Sequence, residues 1–280
     1  LGPNCLGLIS TSSDLNASFA PSMPQQGTIA FMSQSGALGT AVLDWAAGEG
    51  IGLSRFVSLG NKADVSEVDL IRAWDEDPET EVVAAYLEAV SDGRPFVEAA
   101  TALSAHKPII VLKAGGSDAG ARAVSSHTGS LAGSEQAYDA AFRKAGIIRA
   151  HSVQELFDFA VGFARQPLPE GPGLVILTNA GGPAILATDA CERSGVALAA
   201  LEPETIARLR DALPPASAFY NPVDVLGDAP PERYEAAGAI LATDPNVRAI
   251  LVILTPQAMT LAAETAQAVV RLAKSSNVPV

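Results

Sequence analysis

Two stretches of this chain align without a gap: SQSGALGTAVLD at residues 33–44 and TNAGGPAILATD at residues 178–189. Ser33 matches Thr178, Gln34 matches Asn179, Gly36 matches Gly181 and Asp44 matches Asp189. Each follows a short apolar run of strand length and opens a run with helical spacing. A strand that turns straight into a helix is the repeating unit of a doubly wound α/β sheet. Meeting it twice constrains the chain to two such sheets, each with its own helix entrance.

The rest of the pattern agrees with that constraint. Strand-like runs are expected at 28–32, 53–59, 82–88 and 108–112, with helices at 36–47, 65–74, 95–105, 134–145 and 153–164. Residues 165–173 hold Pro167, Pro169, Pro172 and two glycines, which reads as a linker because proline fixes φ and removes a donor. The alternation then restarts: strands at 174–177, 197–201 and 248–254, and helices at 183–193, 204–212, 233–241 and 262–272. Parallel sheets with helices on both faces follow from such alternation. The opening LGPNCLGLIS reads as the end of a strand and a loop, and the closing NVPV as a strand beginning, so the chain is expected to be a piece of a longer protein.

The two entrances have a shared chemistry. A hydroxyl and an amide at a turn can cap free N–H groups or bond an anion. Glycine lets backbone approach a ligand closely. The helix start adds about half a positive charge and several unpaired donors. Ser33, Gln34, Ser35 and Gly36 at one entrance, and Thr178, Asn179, Ala180, Gly181 and Gly182 at the other, are therefore candidate phosphate-binding residues. Each entrance alone could equally be an ordinary strand-to-helix turn. The pair in register favours one phosphate site shared between the two domains.

Composition narrows the alternatives. The net charge of −13 speaks against a broad basic face for nucleic acid. The two cysteines, Cys5 and Cys191, have neither metal nor disulfide spacing, and a cytoplasmic, reduced setting is expected. The three histidines, His106, His127 and His151, show no ligand spacing, so no metal site is expected. No apolar run reaches membrane-spanning length, and no signal peptide is visible.

A Gly- and Ser-rich loop, GGSDAGARAVSSHTGSLAG at 115–133, joins a strand to a helix. Long loops at that end of an open α/β sheet are usually functional. His127 lies in it between Ser126 and Thr128, with no apolar neighbours, and imidazole can serve as base or nucleophile. His106 and His151 lie at helix ends and read as dipole or capping residues.

SSHTGSLAG at 125–133 resembles the phosphohistidine loop of the NDP-forming acyl-CoA synthetases, the superfamily of succinyl-CoA synthetase and the ADP-forming acetate–CoA ligases. LGPNCLG at 1–7, GTIAFMSQSGALG at 27–39, TNAGGPAILATD at 178–189 and NPVDVLGDA at 221–229 are similar to further motifs of that family, in the family's order. The resemblance covers essentially the whole chain and is nearest to the alpha-type unit of the acetate–CoA ligases. It implies the tail of a CoA-binding Rossmann domain at 1–24 and two tandem flavodoxin-like ligase domains at 25–165 and 172–280.

The resemblance also implies a reaction. Acyl-CoA and phosphate give an acyl phosphate and CoA; the acyl phosphate phosphorylates His127; phosphohistidine donates to ADP. Every step is reversible. Glu88 occupies the position of the family's glutamate that accepts from the histidine's other ring nitrogen; read alone, it is a solvated strand-end charge. Asn4, Cys5 and Asn61 resemble residues lining the CoA and acyl end. CoA, phosphate and ATP or ADP with Mg2+ are the implied ligands, and the nucleotide would bind an ATP-grasp domain or subunit outside this chain. The other implied partners are a small organic acid and further copies or subunits in an oligomer, with neither nucleic acid nor membrane. The alternative is a regulatory pseudo-ligase region, fused to a protein acetyltransferase, that binds CoA or nucleotide without turnover. A generic two-domain binding protein leaves the paired entrances unexplained.

Overall fold

The computed structural model describes residues 1–117, 120 and 134–280. The chain forms two compact units, Leu1–Arg165 and Gln166–Val280.

The first unit runs β1 (Gly7–Ser10), β2 (Leu15–Ser18), β3 (Gln26–Ser33), α1 (Gly36–Gly48), β4 (Leu53–Ser58), α2 (Glu67–Asp75), β5 (Val82–Leu87), α3 (Gly93–Ser104), β6 (Ile109–Lys113), α4 (Glu135–Lys144), β7 (Ile148–Ala150) and α5 (Val153–Arg165). Its sheet has the order β2-β1-β4-β3-β5-β6-β7. The strands from β4 to β7 are parallel, and the earliest of them, β3, is interior, which is the flavodoxin-like winding. The β1–β2 hairpin adds to β4 antiparallel, so the sheet is mixed. Residues 1–24, expected as the tail of a separate domain, thus carry two strands of this sheet. Sequence reading missed that hairpin because the four residues LNAS of β2 are mostly exposed and show no apolar alternation. It also missed β7, which is three residues long.

Side chains alternate across a strand, and here both faces are buried. Ala30, Met32, Val83 and Val111 meet Val68, Ile71, Trp74, Phe96 and Phe142 from α2, α3 and α4. Ile29, Phe31, Ala84 and Ile110 meet Val42, Leu43, Ala46, Leu156 and Phe157 from α1 and α5. The Phe31 ring lies 5.4 Å from Phe157 and 6.0 Å from Phe56. Each such side chain contributes about 1.5–3 kcal/mol by leaving water. Helix starts are set by Ser35, Asp92 and Ser134, whose side chains accept from N–H groups of the first turn.

The second unit runs β8 (Leu174–Thr178), α6 (Gly181–Arg193), α7 (Pro203–Ala212), β9 (Val223–Asp224), α8 (Pro231–Leu241), β10 (Ala249–Ile253) and α9 (Ala262–Ser275). Its parallel sheet has the order β10-β8-β9, again with the earliest strand in the middle. Val175, Leu177, Val223, Val225, Tyr234 and Ile250 form its core. The strand expected at 197–201 is reduced to one bridge, Leu198 to Leu174. The amide of Asn221 takes over part of that edge: it donates to the carbonyls of Leu174 and Ala199 and accepts from the Ile176 N–H. The closing NVPV makes one ladder-like bond, Ile250 N–H to the Pro279 carbonyl. Among the described residues no helix is long and apolar enough to cross a membrane.

Candidate active site

In an open α/β sheet, ligands bind at the carboxyl ends of the strands, where consecutive connections leave to opposite faces. In the first unit this crevice lies between β3, which leads to α1 on one face, and β5, which leads to α3 on the other. The first helix entrance is built there.

Ser33 is fully buried at the end of β3, and its hydroxyl accepts from the Ser35 N–H (3.1 Å) and donates to the Ser35 carbonyl (2.8 Å). The Ser35 hydroxyl then caps α1 by accepting from the Leu38 N–H (3.2 Å). The Gln34 side chain reaches across the crevice. Its Oε1 accepts from the N–H groups of Glu88 (2.8 Å) and Ala89 (3.0 Å), and its Nε2 donates to the Ala89 carbonyl (2.7 Å).

The second entrance repeats this design. The buried Thr178 hydroxyl accepts from the Ala180 N–H (3.1 Å). The Asn179 amide reaches the end of β10, donating to the Thr255 carbonyl (3.0 Å) and accepting from its N–H (2.8 Å). The difference lies at the cap: Ala180 stands where Ser35 does and has no side-chain oxygen to offer.

The hydroxyls and amides named from sequence therefore shape the turns, with their polar atoms bonded within their own unit. What the entrances offer outward is backbone. Among the described residues nothing accepts from the N–H groups of Gly36 and Ala37, nor from those of Gly181 and Gly182. Such donors at a helix start are an anion site in waiting.

Glu88 directly follows β5 and is buried to 8% exposure. Gln34 fixes its backbone, and among the described residues no hydrogen bond reaches its carboxylate. Burial pushes the Tyr86 hydroxyl above the usual tyrosine value, and the Glu88 charge adds to that. Burial pushes the Lys113 ammonium below the usual lysine value; Glu135 and Glu88 oppose the shift and Arg149 adds to it. His127 lies outside the described residues.

The residues named for the acyl end are also brought together. Residues 2–5 run against residues 59–63: Gly2 N–H donates to the Leu59 carbonyl, Asn61 N–H to the Pro3 carbonyl and Ala63 N–H to the Gly2 carbonyl. The Asn4 amide donates to that of Asn61 at 3.5 Å, and Cys5 beside them is a half-buried free thiol. Asn4 (φ 58°) and Lys62 (φ 53°) both take the left-handed conformation, which non-glycine residues adopt at a cost of about 1–3 kcal/mol and which clusters at functional sites.

Lys62 joins the two halves of this edge. Its Nζ donates to the carboxylate of the fully buried Glu67 (3.0 Å) and to the Ala89 carbonyl (2.8 Å), while Glu67 also accepts from the Ser91 N–H (2.7 Å). Ala89 thus receives Gln34 from one side and Lys62 from the other. Sequence reading did not single out Lys62 or Glu67; a lysine in a turn followed five residues on by a helix-start glutamate carries no pattern of its own. His106 pairs with Asp75 at 2.8 Å, and the His151 N–H donates to Glu155 at 2.6 Å. Among the described residues there is no group of three or more His, Cys, Asp or Glu that could hold a metal ion.

Comparison with known proteins gives two family matches: the succinyl-CoA ligase like flavodoxin domain over residues 26–163 and the Ligase-CoA domain over residues 174–279. The chain is 50% identical over 270 residues to acetate–CoA ligase [ADP-forming] I of Archaeoglobus fulgidus, matching 96% of this chain and 39% of that protein. It is 43% identical over 280 residues to the alpha subunit of acetate–CoA ligase [ADP-forming] II of Pyrococcus furiosus, matching 99% of this chain and 61% of the subunit. The solved structure of dinucleotide forming acetyl-coenzyme A synthetase 1 from Ca. Korarchaeum cryptofilum, in complex with phosphate and ADP, superposes with a TM-score of 0.93 at 40% identity. It is covered to 61% of its length by 100% of this chain. The chain therefore spans less than two thirds of the length of each of these relatives, from 39% to 61%.

Proposed function

The chain belongs to the NDP-forming acyl-CoA synthetases of the succinyl-CoA ligase type, and from that premise we propose that it carries the phosphohistidine chemistry of a reversible, ADP-forming acid–CoA ligase. The observation that supports this best is the buried Glu88 carboxylate, set by Gln34 beside a helix entrance whose first N–H groups meet no acceptor among the described residues.

In the proposed reaction a phosphate oxygen attacks the thioester carbonyl and CoA leaves as the thiol, giving an acyl phosphate. A ring nitrogen of His127 then attacks the phosphorus, a P–N bond forms and the carboxylic acid departs. Phosphohistidine finally passes the phosphoryl group to ADP, and ATP and free imidazole result. Mg2+ and the nucleotide belong with an ATP-grasp domain or subunit outside this chain, so the chain is inactive alone.

Each part of this chain has a physical task in that scheme. Glu88 accepts from the second ring nitrogen of His127, which fixes the tautomer and offsets the charge of the phosphorylated ring. The N–H groups of Gly36 and Ala37 in the first unit, and separately those of Gly181 and Gly182 in the second, are preorganised donors suited to phosphoryl oxygens. Asn4, Cys5 and Asn61 line the CoA and acyl end. Ser33, Gln34, Ser35, Thr178, Asn179 and Ala180 act by shaping the two entrances.

The test is phosphorylation. The full protein, with its ATP-grasp part, is incubated with Mg-ATP and examined by intact mass and peptide mapping for an acid-labile, base-stable adduct. The adduct is expected at His127, absent in His127→Ala and removed by CoA with the right acid. A nucleotide-binding preparation that forms no adduct overturns the ligase reading in favour of a regulatory pseudo-ligase.

A further inference from the structure

The loop after β5, residues 88–91, has no regular secondary structure, yet side chains from elsewhere in the unit take all four of its N–H groups. Gln34 accepts from Glu88 and Ala89, the Tyr138 hydroxyl from Val90 at 3.2 Å, and Glu67 from Ser91 at 2.7 Å. The Ala89 carbonyl accepts from both Gln34 and Lys62. Buried backbone groups need partners. What calls for a reason is that two of these partners, Lys62 and Glu67, are charged and buried.

The side chain of Lys62 is 12% exposed and that of Glu67 is 0% exposed. Taking two charges out of water is expensive, and an apolar pair of the same volume often serves a core as well or better. An apolar pair could not reach the neighbouring loop, however. Here one ammonium bonds the Glu67 carboxylate at 3.0 Å and the Ala89 carbonyl at 2.8 Å, while the other oxygen of Glu67 holds Ser91. The pair thus grips the loop at two points, one and three residues beyond Glu88.

The backbone of Lys62 belongs to a different edge. It takes φ 53° in the turn at 59–63, between two residues bonded to the start of the chain. The Asn61 N–H donates to the Pro3 carbonyl and the Ala63 N–H to the Gly2 carbonyl, both at 2.9 Å. Asn61 in turn meets the Asn4 amide. Lys62 therefore has its backbone among the residues assigned to the acyl end and its ammonium in the loop that begins with Glu88.

We infer that Lys62 is a positioning residue: through Glu67 and Ala89 it ties the turn that carries Asn61 to the loop that carries Glu88, and holds the two at one spacing. The inference rests on the ligase reading above, which assigns Asn61 and Glu88 their tasks, and deepens it. Acyl transfer and phosphoryl transfer then share one rigid frame, as steps that hand on a common intermediate require.

The experiment uses the full protein with its ATP-grasp part and three forms: wild type, Lys62→Met, and Lys62→Met with Glu67→Leu. Hydrogen exchange is followed at the amides of Asn61, Ala63, Ala89 and Ser91. Lys62→Met is expected to speed exchange about tenfold in both segments, because one bonded charge secures the two. Turnover is followed with Mg-ATP, CoA and a panel of short carboxylic acids beginning with acetate. Lys62→Met is expected to lower kcat about 10- to 100-fold and to raise the KM for CoA, with the KM for Mg-ATP within about twofold of wild type. The double variant separates positioning from stability. It removes the stranded carboxylate and should regain much of the melting temperature, yet keep the kinetic defect, since neither Ala89 nor Ser91 recovers its partner. Unchanged exchange in either segment, wild-type kinetics in Lys62→Met, or kinetics that recover with stability in the double variant overturns the inference. A wild-type protein that turns over none of the acids overturns the ligase reading instead, and the exchange data still decide whether the tie exists.

Discussion

Gln34 and Ala89 exchange two hydrogen bonds, the Ala89 N–H donating to Gln34 Oε1 at 3.0 Å and Gln34 Nε2 donating to the Ala89 carbonyl at 2.7 Å. A side chain here does what a neighbouring strand would do, and it carries the sheet's pairing one step past the end of β5. Asn179 does the same for Thr255. Replacing either amide strands backbone groups. Gln34→Ala and Asn179→Ala should each cost about 1–3 kcal/mol in urea unfolding. Asn179→Ala should cost more, because Asn179 is 3% exposed and water cannot easily take its place. Equal stability to wild type in both variants would remove the clamp from the account.

Lys62 and Glu67 form an ion pair of 3.0 Å with the glutamate wholly inside. Removing one partner of a buried pair leaves an uncompensated charge, at a cost of about 3–5 kcal/mol. Lys62→Met is therefore expected to be more destabilising than the double change Lys62→Met with Glu67→Leu. Denaturation of the wild type, the single variant and the double variant checks the order.

Gly60 takes φ +59°, and a side chain there would stand 2.4 Å from the Pro3 carbonyl oxygen. Gly60→Ala should break the pairing of residues 2–5 with 59–63, which holds Asn4 beside Asn61. The expected outcome in the full protein is a raised KM for CoA with His127 phosphorylation by Mg-ATP retained. Loss of phosphorylation alone, with the KM for CoA unchanged, would contradict the placement of this loop at the acyl end.

Tyr234 is buried in the second core and donates its O–H to the Ile253 carbonyl at 3.2 Å. Burial, with Asp224 nearby, raises its hydroxyl far above the usual tyrosine value. A raised folded-state value means that the native state keeps its proton after the unfolded chain has begun to lose it. The stabilisation is complete below the unfolded value of about 10 and declines as pH rises beyond it. Tyr234→Phe should cost about 1 kcal/mol at pH 8 and should show a shallower loss of stability between pH 10 and 11. Parallel wild-type and variant curves across that range would exclude the linkage.

Much of this architecture was legible before the fold. The apolar runs of β3, β5, β6 and β8 are buried on both faces, so they read as unbroken hydrophobic stretches. The helix entrances carry their own signals, a hydroxyl before a glycine before an apolar face. The β1–β2 hairpin, β7 and β9 were illegible because strands of two to four residues contain too few side chains to show a period. At the site, Glu88, Gln34, Asn4 and Asn61 could be named from motifs, but Lys62, Glu67, Lys113 and Tyr138 could not. Their partners lie far along the chain, as with Tyr138 and Val90, 48 residues apart.

The sequence by itself determined the repeated strand-to-helix junctions, the kinds of groups at them and the family to which they belong, because those properties are local and travel with a short run of residues. Tertiary structure alone decided what each group does. It placed β3 between β4 and β5, so that Gln34 faces Ala89 across 55 residues of chain and is used as a clamp. It buried Lys113 against Tyr138 and left the first backbone N–H groups of each entrance without an acceptor among the described residues. Those assignments depend on which strands become neighbours, and that is settled by the packing of whole faces, which no short run of residues contains.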